Sequence, residues 1–157
     1  MQAPTPPAET IAAAGSPDWS TRAAAGQQLA AWADRDDIAE VLRRLVLDRR
    51  DTAVVETTCL ALLRRNDVHG TRLVAEAVTK ALNLLRDGLD HIDHLHDAVI
   101  NYLIPDGPVD DFLAHCDALT RESDPTTATG AAHLASWARP WSPTADQPAT
   151  LPDNKVL

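Results

Sequence analysis

A chain of 157 residues with 45% hydrophobic and 24% charged residues reads as one globular domain, long enough to bury a core. No apolar run approaches the length of a bilayer span, and Cys59 and Cys116 alone make no disulfide framework, so a cytoplasmic protein with no membrane contact is expected. The net charge of −9 is local: residues 87–124 hold ten acids against Arg121 alone, and the segments on either side are neutral.

The opening MQAPTPPAETIAAAG lacks both the positive charge and the sustained apolar stretch of a signal peptide. Its prolines predict a flexible segment over residues 1–15 that cannot sustain a helix. Ser16-Pro17-Asp18 is a helix start: a capping hydroxyl, a proline suited to the first turn, then an acid facing the helix dipole. Ala25, Leu29 and Trp32 follow on one stripe. After the break DRDD, Ile38, Val41, Leu42 and Leu45 share one face of a second helix. Asp51-Thr52 caps a third, with Val55, Cys59 and Leu62. Asn66-Asp67 opens a fourth, with Val74, Ala77, Ala81, Leu82 and Leu85.

Asp87-Gly88 interrupts the pattern before a fifth helix over residues 89–103. Pro105-Asp106-Gly107-Pro108 turns the chain into a sixth over residues 109–121. A last helix over residues 126–138 is weakened by Gly130 and several threonines. The end of the chain, RPWSPTADQPATLPDNKVL, is Pro-rich and predicts a tail over residues 140–157. A single all-helical domain over residues 16–139 remains.

The breaks recur. Asp18 and Asp51 stand 33 residues apart, as do Leu29 and Leu62 and also Asp34 and Asp67. A third unit begins near Asp87. A period of this size, made of two helices, signals a stacked α-solenoid. SPDWSTRAAAGQQLAAWADRDDIAEVLRRLVLD resembles a bacterial HEAT repeat of the PBS-lyase type. It has an acid-containing turn, a first helix rich in small residues with Arg22, an aspartate turn and a leucine-rich second helix. DRRDTAVVETTCLALLRRNDVHGTRLVAEAV is a more diverged copy with Val55 at the arginine position, and the third copy carries His91 there. The resemblance covers residues 16–121. It implies a short right-handed HEAT-like α-solenoid of about three helix pairs, whose second helices line a concave face that usually binds proteins. Ankyrin and TPR signatures are absent.

The densest chemistry is DHIDHLHD, residues 90–97. With Ile92 at the centre of the buried stripe, Leu95, Val99 and Leu103 lie within about 60° of it. Asp90, His94 and Asp97 then form a polar row on the far side, on the convex face implied by the resemblance, and His96 falls inside the apolar sector. The row offers a metal two or three ligands, and a zinc site needs three or four that converge. A solvated face with His94 between two carboxylates is therefore preferred, and His96 is expected as a core or seam histidine. HExxH, CxxC, GxSxG, a glycine-rich phosphate loop and the kinase signatures are all absent, so no catalytic residue and no cofactor are assigned. Cys59 lies on an apolar stripe as a packed thiol, and helix geometry splays Cys116 from its neighbour His115.

Arg43, Arg44, Arg49, Arg50, Arg64 and Arg65 make a basic patch, interleaved with acids and adjoining the −9 block, which disfavours nucleic acid. The acidic block itself is a field suited to a basic protein partner. The resemblance places the second helix of each pair on the concave side. The expected partner-binding residues are therefore Asp110, Asp111 and Asp117, with Glu76 and Lys80 on the fourth helix and Arg43 and Arg44 on the second. Trp19 and Trp32 are expected to close one end of the stack. Trp137 and Trp141 are expected to close the other, with a docking role for Trp141 as the alternative. The function expected is a non-catalytic interaction module: an adaptor, a regulator or an immunity-type inhibitor. Its alternatives are a metal-dependent or enzymatic protein using residues 90–117, and a HEAT-like nucleic-acid binder using the arginines.

Overall fold

Asp18, Asp51 and Asp124 each stand at a helix N-cap, where the carboxylate accepts an otherwise unpaired first-turn N–H from Thr21, Ala53 and Thr127 respectively. The computed structural model describes residues 4–84 and 91–143. Over them run α1 (Ala8–Ala13), α2 (Trp19–Leu29), α3 (Asp36–Leu45), α4 (Thr52–Arg64), α5 (Val68–Leu84), α6 (His91–Leu103), α7 (Val109–Thr120) and α8 (Pro125–Ala138). Single 3₁₀ turns extend α2 through Ala30–Trp32 and α8 through Arg139–Trp141. The described residues contain no strand. The breaker Asp87-Gly88 and the residues Leu85, Leu89 and Asp90 lie outside them.

Two boundaries correct the sequence reading. The first long helix starts at Trp19 because Asp18, not Ser16, is the cap; Ser16 Oγ instead accepts the Asp18 N–H at 3.2 Å. The N-terminal segment, expected to be without a helix, contains α1. Its prolines precede the helix, with Pro7 at the N-cap, so they remove no internal hydrogen bond. Trp32 then fastens the segment, its indole N–H donating to the Pro4 carbonyl at 2.6 Å. Trp19, expected to close this end, is half exposed.

The predicted apolar faces become the core. Leu29, Ile38, Leu42, Leu45, Val55, Cys59, Leu62, Val74, Ala77 and Ala81 are all buried in one continuous cluster. Helix α2 packs on α4 and α4 on α6, while α3 lies against α5. The third predicted pair departs from this plan: α7 leans on α5 and α8 rather than on α6, and α8 packs against α5, α7 and α6. The residue that permits it is Gly130, which the sequence reading took as a weakness of α8. A Cβ there would lie 1.7 Å from the Ala75 carbonyl oxygen, so only glycine lets α8 press its backbone onto α5. Helix α8 meets α5 there at Ala75 and Thr79.

Candidate functional site: an acidic cleft at the α6–α7 turn

The motif DHIDHLHD does not act as one site. The buried stripe of α6 holds His91, Leu95, Ala98, Val99 and Leu103. It is centred on Leu95, about 60° around the helix from Ile92, which is only half-buried. The cause is His91, 5% exposed, whose Nε2 lies 2.9 Å from the Asp48 carbonyl and draws that side of the helix inward. A carbonyl only accepts, so Nε2 carries the proton, and among the described residues the buried Nδ1 has no hydrogen-bond partner. The rotation moves His94 to the rim, where Nδ1 meets Glu56 Oε1 of α4 at 2.7 Å, correcting the expectation of a histidine held between Asp90 and Asp97. It also moves His96 out of the core. That ring is half exposed at the α6–α8 seam, edge-on to Trp137 at 5.0 Å.

Of the metal-row residues, Asp90 lies outside the described residues, and Asp97 is exposed with His96 Nδ1 at 3.7 Å. Among the described residues no three His, Cys, Asp or Glu side chains converge as metal ligands would. Both thiols are fully buried. Burial pushes Cys59 and Cys116 up to about 12, with the Glu56 charge adding to the effect at Cys59.

The expected partner-binding residues divide among separate places. Arg43 of α3 donates Nε to Glu76 of α5 at 2.7 Å, so these two neutralise each other. Lys80, exposed near the end of α5, faces the field of Asp124 at the start of α8. Asp117 holds Arg121 one turn on, at 2.6 Å. Arg44 lines a different cavity, beside α1. Half of the arginine patch is also committed. Arg65 donates to the Ala30 and Ala31 carbonyls at 2.8 and 2.6 Å and to Asp67, and Arg50 donates to the Ser16 carbonyl at 3.1 Å.

Asp110 and Asp111 sit together in one concavity. The turn Ile104 to Pro108, with a cis Ile104–Pro105 bond, and the first turn of α7 form one wall of a cleft of about 590 Å³; Trp141 and Pro143 form the other. Asp106, Asp110 and Asp111 are exposed in its lining, and Ile104 and Trp141, 37% and 47% exposed, add apolar surface to it. Asp110 and Asp111 occupy the first turn of α7, where the helix dipole favours negative charge. Asn66, held at a positive φ of 50°, donates Nδ2 to Asp111 at 3.1 Å and accepts from the Tyr102 hydroxyl at 3.4 Å. Burial, then the Asp111 charge, push the Tyr102 phenol up. Ser142 Oγ lies 3.4 Å from Asp110 Oδ1 and ties the segment carrying Trp141 to α7.

The cleft accordingly joins a negative field to an apolar anchor. Sequence reasoning found the acids and Trp141 but missed Ile104 and the meeting of the two ends. The available signal was the turn PDGP, an acid between prolines, placed beside the acidic start of α7. No helix among the described residues is long and apolar enough to cross a membrane. Compared with protein-family models, curated proteins and solved structures, the chain matches none.

Proposed function

We propose that this protein is a non-catalytic, HEAT-like interaction module that receives a basic segment of a partner protein in the cleft between the α6–α7 turn and Trp141. In this reading α2 with α3 and α4 with α5 are two helical repeats. In the third, α8 takes the place beside α6, and α7 stands outside it with its acidic first turn exposed at the cleft. The observation that carries the reading is the cleft itself, lined by Asp106, Asp110 and Asp111 together with the exposed Ile104 and Trp141. Carboxylates steer a cationic chain and fix its register, while a half-exposed tryptophan supplies most of the contact energy available at such a rim.

The test is fluorescence anisotropy with a labelled peptide that combines lysine or arginine with leucine. Binding is expected to saturate, to weaken with salt, and to be lost on Asp110→Lys with Asp111→Lys. It is expected to weaken on Trp141→Ala and to persist on Asp93→Lys with Asp97→Lys, which reverses charge on α6 away from the cleft. Equal loss from both pairs of reversals would leave only a general acidity and sink the cleft.

A further inference from the structure

A second concavity lies at the opposite sign of charge. Ile11 of α1 and Ala14 at its C-cap face Val41 and Leu45 of α3 across a cavity of about 300 Å³, at the low end of small-molecule sites. Its floor is the Arg22–Asp48 pair, with Nε to Oδ2 at 2.7 Å and side chains 2% and 7% exposed. That floor is saturated. Asp48 also accepts the Arg50 and Asp51 N–H groups at 2.9 Å each, and Arg22 Nη1 donates to the Ser16 and Pro17 carbonyls.

The rim is not saturated. The exposed Arg44 side chain has no hydrogen-bond or ion-pair partner among the described residues, and the Arg50 side chain spends its guanidinium on the Ser16 carbonyl alone. Three guanidiniums therefore line the cavity against one carboxylate, in a protein whose overall charge is −9. Two forks able to grip an anion stand above apolar walls supplied by two different helices.

We propose that this cavity binds a small amphiphilic anion, with a carboxylate or phosphate head held by Arg44 and Arg50 and a short apolar chain lying between α1 and α3. The head alone is disfavoured by the long-range repulsion of the whole protein, and the chain alone gains nothing from the arginines, so both parts are required. Because Ile11 and Ala14 form one wall, the ligand also clamps α1 onto the body.

Isothermal titration of the full chain tests this with hexanoate and with monohexyl phosphate, using inorganic phosphate as the head alone and hexanol as the chain alone. At least one amphiphile is expected to saturate a single site, and both controls to bind roughly tenfold more weakly or worse. The better amphiphile identifies the head. Arg44→Ala with Arg50→Ala should lower affinity by roughly tenfold or more. Ala14→Leu, which fills the cavity and leaves the charges, should do likewise, and melting curves of the variants report their folding. No saturable heat from either amphiphile, phosphate or hexanol binding as tightly as the amphiphiles, or binding that survives both variants would overturn the proposal.

Discussion

Arg22 and Asp48 join α2 to the turn before α4 through two hydrogen bonds, at 2.7 and 3.3 Å, with both side chains almost wholly buried. Removing one partner leaves the other charge buried and alone, which costs about 3–5 kcal/mol. Arg22→Met and Asp48→Asn should each approach that loss in urea unfolding. A well-packed apolar replacement of both will not recover it, because Asp48 also accepts the Arg50 and Asp51 N–H groups that hold the turn. A double variant as stable as wild type would show the pair to be dispensable.

The same carboxylate sets an acid limb. Burial raises the Asp48 pKa, but the Arg22 hydrogen bond, the two backbone N–H groups and the Arg22 charge outweigh it and hold the group below its ordinary value. Asp67 behaves alike, through Arg65 and the Gly70 N–H. A depressed carboxylate contributes stability that is complete above its unfolded pKa, about 4, and is lost as pH falls through the folded value. Unfolding midpoints should therefore stay level from neutral pH down to about 5 and fall below about 4. Asp48→Asn should make that fall shallower, and an unchanged slope would count against the assignment.

Gly130 and Gly15 separate a glycine required by packing from one that is not. A Cβ at Gly130 meets the Ala75 backbone at 1.7 Å, and helix backbones do not yield as side chains do. A Cβ at Gly15 meets only the Ala12 carbonyl at an ordinary 3.5 Å. Gly130→Ala should therefore cost about 1–3 kcal/mol or more despite its better helix propensity, while Gly15→Ala stays within about 0.5 kcal/mol of wild type. Thermal melts of the two variants decide this, and a stable Gly130→Ala protein would mean that α8 does not press on α5 as described.

What was legible in the sequence was what repeats locally. The helix start at Asp51, and the buried stripes through Leu42, Cys59 and Val74, follow from capping chemistry and period alone. What was not legible depends on a partner distant in the chain. The face of α6 turned by about 60° because His91 found the Asp48 carbonyl, 43 residues away, and nothing in the spacing of DHIDHLHD encodes that. Of the expected set, Arg43 and Glu76 pair with each other, while Lys80 answers Asp124 and Asp117 answers Arg121. The cleft was half legible, in its acids and Trp141. Its closure needs Trp141 and Pro143 to line the same cleft as the turn at Pro105, a juxtaposition no periodicity reports.

Helix α1 is short enough that its attachment should be measurable by itself. At six residues it cannot persist alone, and its ties are Thr10 and Ile11 against the body and the Trp32 indole on the Pro4 carbonyl. Trp32→Phe keeps the ring and removes the donor, worth about 0.5–1.5 kcal/mol. That should speed amide exchange in α1 by up to roughly tenfold, while the global unfolding midpoint barely moves, because the segment opens before the core does. Uniform acceleration across the chain would place Trp32 in the core instead.

The two cysteines give an independent report on the body of the protein. Cys59 sits in α4 and Cys116 in α7, both at 0% exposure, and their thiols are pushed up to about 12. At pH 8 neither presents a thiolate or a path for reagent, so labelling must wait for an opening of the chain. Both should resist a disulfide reagent in native buffer and react at once in denaturant. The order in which they yield in intermediate urea tests cooperativity. The core runs unbroken from α4 to α7, so Cys59 and Cys116 should become reactive together, at the midpoint seen by circular dichroism. Early reaction of Cys116 alone would mean that α7 detaches from α5 and α8 first, and the acidic cleft it carries would then be the least stable part of the fold.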